Sequence, residues 1–146
     1  MATGKGNTFI NDYLKLLLNA TPISLIADNA ASTPLANLYL GLHTGTLSAA
    51  SAQNTTEAAY TGGPYSRVAV ARTTGGFTAA TAQSSALVAT ASFPASTSSE
   101  TETYASLGTD SSGAGKLLYF GVITPSLAVA NGVTPQLTTA TTVSET

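Results

Sequence analysis

The chain has 146 residues, 43% of them apolar, with one histidine, no cysteine and a formal net charge of −2; this length suits a single domain with a real core and excludes a purely disordered polymer. Without cysteine there are no disulfides or thiolate metal sites, and five Lys/Arg dispersed over the whole chain cannot form the basic stripe that phosphate contacts need, so no nucleic-acid partner is expected. Only 8% of residues are charged while Ala, Thr and Ser fill 66 positions, which leaves either a low-charge secreted domain or a subunit whose neutral surface is covered in an assembly, because little ionic hydration is lost when another protein lies on it.

Residues 1–6 read as an N-terminal arm, and residues 7–20 as a helix. Asn7 or Thr8 can cap it, and Phe9, Ile10, Tyr13, Leu14, Leu17 and Leu18 recur at helical spacing. Thr21-Pro22 ends it near Ala20. Asn7, Asn11, Asp12 and Lys15 interrupt the apolar run, so this segment does not read as a signal peptide. No stretch approaches the ~18 apolar residues of a membrane span, so no membrane partner is expected. Synthesis in a cytoplasm is expected.

From about residue 35 to 146 the chain reads as strands and turns. Leu38, Leu40 and Leu42 alternate with Tyr39, Gly41 and His43. Residues 45–63 form a long loop, and Tyr65 to Arg72 a second strand. Gly75-Gly76 turns the chain before strand candidates at Phe77–Thr81 and Ser85–Phe93, the latter stopped by Pro94. Ala95–Glu102 is a polar connector in which Glu100 and Glu102 are expected as a solvated pair. Thr103–Leu107 and Lys116–Ile123 flank Gly108–Gly115 as a hairpin with a mobile tip. Asn131-Gly132 is a turn pair, and Thr134–Val143 suits a last strand. Many short strands after one helix favour a mainly β fold, an antiparallel β-sandwich or jelly-roll-like domain over 1–146 with one N-terminal α-helix.

The chemistry-bearing residues are few. His43 would need a hydroxyl such as Ser66 or Thr44 and an orienting carboxylate such as Asp28 or Glu57 to form a dyad. No spacing selects them, and a hydrogen-bonded structural histidine is expected. Seven dispersed acids with one histidine give no metal cluster. Asp110 in Thr109-Asp110-Ser111-Ser112-Gly113 fits a turn better than a calcium loop. Gly62-Gly63-Pro64 and Gly75-Gly76 do not stand between a strand and a helix, so they are turns and not phosphate cradles. The expectation is therefore no catalytic, cofactor or metal site, and no enzyme.

The order of motifs is informative. The apolar helix is followed by Leu38-Tyr39-Leu40-Gly41-Leu42-His43-Thr44, then Glu57, Tyr65-Ser66-Arg67-Val68-Ala69-Val70, Ser92-Phe93-Pro94, Lys116-Leu117-Leu118-Tyr119-Phe120-Gly121 and Asn131-Gly132. This succession, over roughly residues 7–135, resembles small bacteriophage virion proteins of the tail fibre or tail protein type, similar in character to capsid decoration (cement) proteins. The chain departs from that pattern where the 45–63 loop lacks an acidic Asp-Pro element and where Thr103–Gly108 replaces a His-containing strand. The resemblance implies a virion structural protein, with capsid decoration by bridging major capsid subunits as the first reading. A tail, baseplate or tail-fibre component that attaches to the host is the second. A free carbohydrate-binding β-module stands outside both. Implied partners are the major capsid protein or other virion proteins, together with further copies in a homo-oligomer. Expected interface residues are Phe9, Tyr13, Tyr65 and Arg67, with Arg67 either clamping a neighbouring carbonyl or Glu57, or standing as a surface arginine on its strand.

Overall fold

A computed structural model describes residues 7–22 and 35–145, with the side chains from Ile10 onward. The expected arm at 1–6 and the side chain of Phe9 lie outside the described residues. Among the described residues one helix, α1 (Asn7–Asn19), precedes eight strands: β1 (Asn37–His43), β2 (Val68–Ala71), β3 (Ser84–Ala86), β4 (Ala91–Ser92), β5 (Glu100–Gly108), β6 (Leu117–Val129), β7 (Gln136–Leu137) and β8 (Thr142–Ser144). The fold is mainly β with antiparallel pairing and one N-terminal helix, as a β-sandwich class requires.

Two compact units share the chain. The first takes its described residues from Met1–Ala36, Ala71–Thr90 and Thr138–Thr146. In it Ile10, Leu14 and Leu18 line one face of α1 at i, i+4, i+8 spacing and are buried, as are Phe77, Ala80 and Leu87. The helix stops where Ala20 turns left-handed (φ 54°) ahead of Pro22. The Arg72 guanidinium donates to the carbonyls of Leu16 and Leu17, two of the groups a helix end leaves without partners. Strands β3 and β8 form a short antiparallel ribbon, and the Asn11 side chain accepts a hydrogen bond from the Gln83 amide at 2.7 Å.

The second unit comprises Asn37–Val70 and Ala91–Leu137. It holds most of a four-stranded sheet of order β2-β1-β5-β6, together with the β4-β7 ribbon. Leu38, Leu40, Leu42, Tyr60, Phe93 and Leu107 form its core. The register sets Gly41 opposite Ser106 and His43 opposite Tyr104 on one side, and Ser106 opposite Phe120 on the other.

Several expected boundaries move. The second strand begins at Val68 and not Tyr65, because Tyr65 and Arg67 turn their polar groups into the loop network described below. Strand β5 begins at Glu100, inside the expected connector, and pairs Glu100, Thr101 and Glu102 with Val129, Ala128 and Leu127. The expected solvated pair is thereby corrected: Glu102 has no exposed surface, since the ladder fixes its side chain on the inner face of β5. The expected last strand over 134–143 is divided between β7, which pairs with β4, and β8, which pairs with β3.

Candidate functional site

The polar chemistry of the second unit gathers on the Gly41/His43 side of β1. A single histidine ring organises it. His43 Nδ1 lies 2.8 Å from the Thr55 carbonyl oxygen, and Nε2 lies 2.7 Å from Ser106 Oγ. A carbonyl can only accept, so Nδ1 carries the proton and Nε2 accepts from the serine hydroxyl. Burial holds the imidazole below its ordinary value, against the opposing pull of the Thr55 carbonyl and the Glu57 carboxylate. The ring is therefore neutral at pH 7.

A serine hydroxyl bonded to a histidine that is oriented from its far nitrogen has the connectivity of a nucleophile–base dyad. Its surroundings are those of a packed core: His43 is 0% and Ser106 3% exposed. The backbone of Gly41 closes the remaining side, where a Cβ would stand 2.9 Å from Ser106 Oγ and 3.3 Å from His43 Nε2. The arrangement ties the 53–57 segment to the β1–β5 ladder by a chain of short hydrogen bonds, the structural role expected of His43.

Arg67 is the second organiser. Its Nε and Nη2 meet Glu57 Oε1 and Oε2 at 2.6 and 2.8 Å, a bidentate pair. Nη1 and Nη2 also donate to the carbonyls of Asp110 and Gly113 at 2.8 Å each. Both partners proposed for Arg67 from the sequence are thus engaged at once. Its side chain is 1% exposed, that of Glu57 17%. Gln53 completes the clamp: its Nε2 donates to the Asp110 carbonyl at 3.0 Å, its Oε1 accepts from the Asp110 amide at 3.1 Å, and its amide donates to the Ala114 carbonyl at 3.0 Å. The hairpin tip expected to be mobile is instead fastened by two side chains. Glycine at 108 and 115 makes room, because a Cβ there would stand 2.2 and 2.3 Å from the Gln53 amide group.

Tyr65 spans the network and the core. Its hydroxyl accepts from the Leu42 amide at 2.9 Å. Its ring meets Tyr60 edge-on at 5.1 Å and stacks on Phe93 at 6.3 Å. Burial holds the Tyr65 phenol well above its ordinary value. Among the expected interface residues, then, Tyr65 and Arg67 direct their polar groups inward, whereas Tyr13 on α1 is 37% exposed.

The two dyad partners weighed from sequence, Ser66 and Thr44, are not the ones His43 contacts, and Asp28 lies outside the described residues. Ser106, Thr55, Gln53 and Tyr60 escaped sequence reasoning. The alternation of β5 puts Ser106 on the face of Tyr104, but selecting it as the histidine's partner requires the strand register. Gln53 carried a weak signal, as the lone glutamine in a loop of Ala, Ser and Thr. Among the described residues no cluster of three His, Cys, Asp or Glu could hold a metal ion, and no helix is long and apolar enough to cross a membrane.

Residues 15–144 match the model of a protein family described as podophage GP4 fiber I protein gp80. No curated protein matches the chain.

Proposed function

The chain belongs to the podophage GP4 fiber I protein gp80 family, and from that membership we propose that it is a non-enzymatic structural subunit of the fibre of a phage particle. The observation that carries the reading is the extent of the match, which spans residues 15–144 and so includes every strand of both units. The internal chemistry agrees with it. His43, Ser106, Arg67, Glu57 and Gln53 spend their polar groups on holding loops to a sheet, as suits a part whose task is shape. The neutral exterior suits attachment to other virion proteins or further copies by many modest contacts, repeated by symmetry.

Capsid decoration, in which the chain bridges major capsid subunits, is the second reading. It is favoured by the loops at 45–63 and 95–102, which are mostly Ala, Ser and Thr and whose aromatic residue, Tyr60, is buried. A host-recognising tip would display aromatic or charged side chains on such loops. Immunogold labelling of intact particles separates the two. Gold at the tail end is the expected result; gold over the head transfers the assignment to decoration, and unlabelled particles overturn both.

A further inference from the structure

Glu102 is the anomaly of the second unit. It is fully buried, and among the described residues neither carboxylate oxygen has a hydrogen-bond donor. A charged carboxylate in that setting would bear its whole desolvation cost without compensation. Two residues earlier on the same strand, Glu100 turns its carboxylate to the backbone, accepting from the Tyr60 amide at 3.1 Å and from the Ala59 amide at 3.4 Å. Standing two residues apart on β5, with no register shift between them, the two acidic side chains project from the same face of the strand. Two carboxylates cannot bond to one another, whereas a carboxylic acid donates to a carboxylate.

We propose that Glu100 and Glu102 share one proton, carried by Glu102 and donated to Glu100, and that this pair is a pH-sensitive latch on the turn at Ala59–Thr61. The turn needs a latch. Tyr60 is a non-glycine residue in the left-handed region (φ 42°), a conformation that persists only where neighbours enforce it. Its neighbours come from the segment leading into β5: Glu100 on its amide, Thr97 Oγ1 donating to its carbonyl at 3.0 Å, and Ser98 Oγ accepting from the Thr61 amide at 3.0 Å. The Tyr60 hydroxyl is itself buried without a hydrogen-bond partner among the described residues, and burial beside Glu102 and Glu100 raises it to about 12, so it stays neutral. Strand β6 presents Val129, Ala128 and Leu127 to this part of β5, none of which titrates. The charge problem is therefore confined to the two glutamates. When the shared proton leaves to water, two negative charges face each other and one of them is buried. The relief available is outward movement of Glu100, which is half-buried and lines a shallow cleft with Ser99, Thr101 and Ala128–Ala130. That movement gives up the amides of Ala59 and Tyr60.

The pH window follows from Glu102, which burial and then the charge of Glu100 raise from 4.5 to about 7. A raised acid stabilises the closed turn fully below its unperturbed value, and this stabilisation is lost as pH rises through the folded one. Hydrogen exchange on the full chain, corrected for intrinsic base catalysis, tests it. Protection of the Ala59 and Tyr60 amides is expected to fall by up to about tenfold per pH unit between 4.5 and about 7 and to level off above. Glu102→Gln, which keeps a donor for Glu100 and cannot ionise, is expected to hold protection constant over that range. Carbon-13 carboxyl NMR of the unaltered chain gives an answer that does not depend on the variant folding: one glutamate should titrate near 7. All glutamates titrating at ordinary values, or the same loss of protection in Glu102→Gln, would overturn the latch.

Discussion

Ser106 shows how much a single hydroxyl can hold. Its removal in Ser106→Ala leaves His43 Nε2 as a buried acceptor with nothing to bond, an expected cost of about 1–3 kcal/mol in urea denaturation. Arg67 is worth more, because Arg67→Met strands Glu57 and also frees the Asp110 and Gly113 carbonyls. The expected loss is about 3–5 kcal/mol, the range found when one partner of a buried pair is removed. Two buried groups of this unit, His43 and Glu102, act in opposite directions. His43 lies below its ordinary 6.5 through burial, so its contribution is present above 6.5 and is lost as pH falls through the folded value. Glu102 contributes in acid and loses its contribution as pH rises through about 7. In the unaltered chain the two slopes oppose each other over the range they share. Glu102→Gln should remove the opposing slope and uncover that of the histidine, seen as urea stability that climbs with pH toward 6.5 and then levels; a variant without that climb would show that burial does not hold His43 below its ordinary value.

At the scale of elements, the 109–115 tip depends on residues far from it in the chain. Gln53 meets Asp110 across 57 positions. Gln53→Ala is expected to make that tip the first site of cleavage in limited proteolysis, while the β5–β6 ladder stays intact. A tip as resistant as before would mean that Arg67 suffices. In the first unit, α1 is held by an apolar stripe on one face. Leu14 has no exposed surface, so Leu14→Ala should cost about 2–5 kcal/mol by leaving a cavity. Its effect belongs to the thermal melting of the helix-bearing unit.

For the whole molecule, the scarcity of ions is the governing property. With 8% charged residues, contacts with neighbours have few charges to screen. On the proposed reading, attachment to particles or to further copies should change little between low and high salt, because screening acts on exposed charges and leaves apolar and neutral hydrogen-bonded contacts nearly untouched. Co-sedimentation with particles across a salt series measures this. Steep loss of binding as salt rises would mean that attachment runs through the few ionic groups and not through the neutral surface.

What the sequence determined alone was local. The period of Ile10, Leu14 and Leu18, the alternation from Leu38 to His43 and the turn at Asn131-Gly132 are set by the geometry of neighbouring residues, so helix, strand and turn were legible in them. The mainly β class and the virion resemblance followed from their order. Partnership was not legible. His43 finds Ser106 across 63 positions, Glu102 is hidden because the β5–β6 register turns it inward, and the last Thr-rich stretch divides between two ribbons because each half meets a different strand. Such choices depend on which distant segments come together, and a one-residue slip in register would send each of those side chains to the opposite face. Only the tertiary structure decides that, and with it which of the few polar residues are held and which must keep a proton.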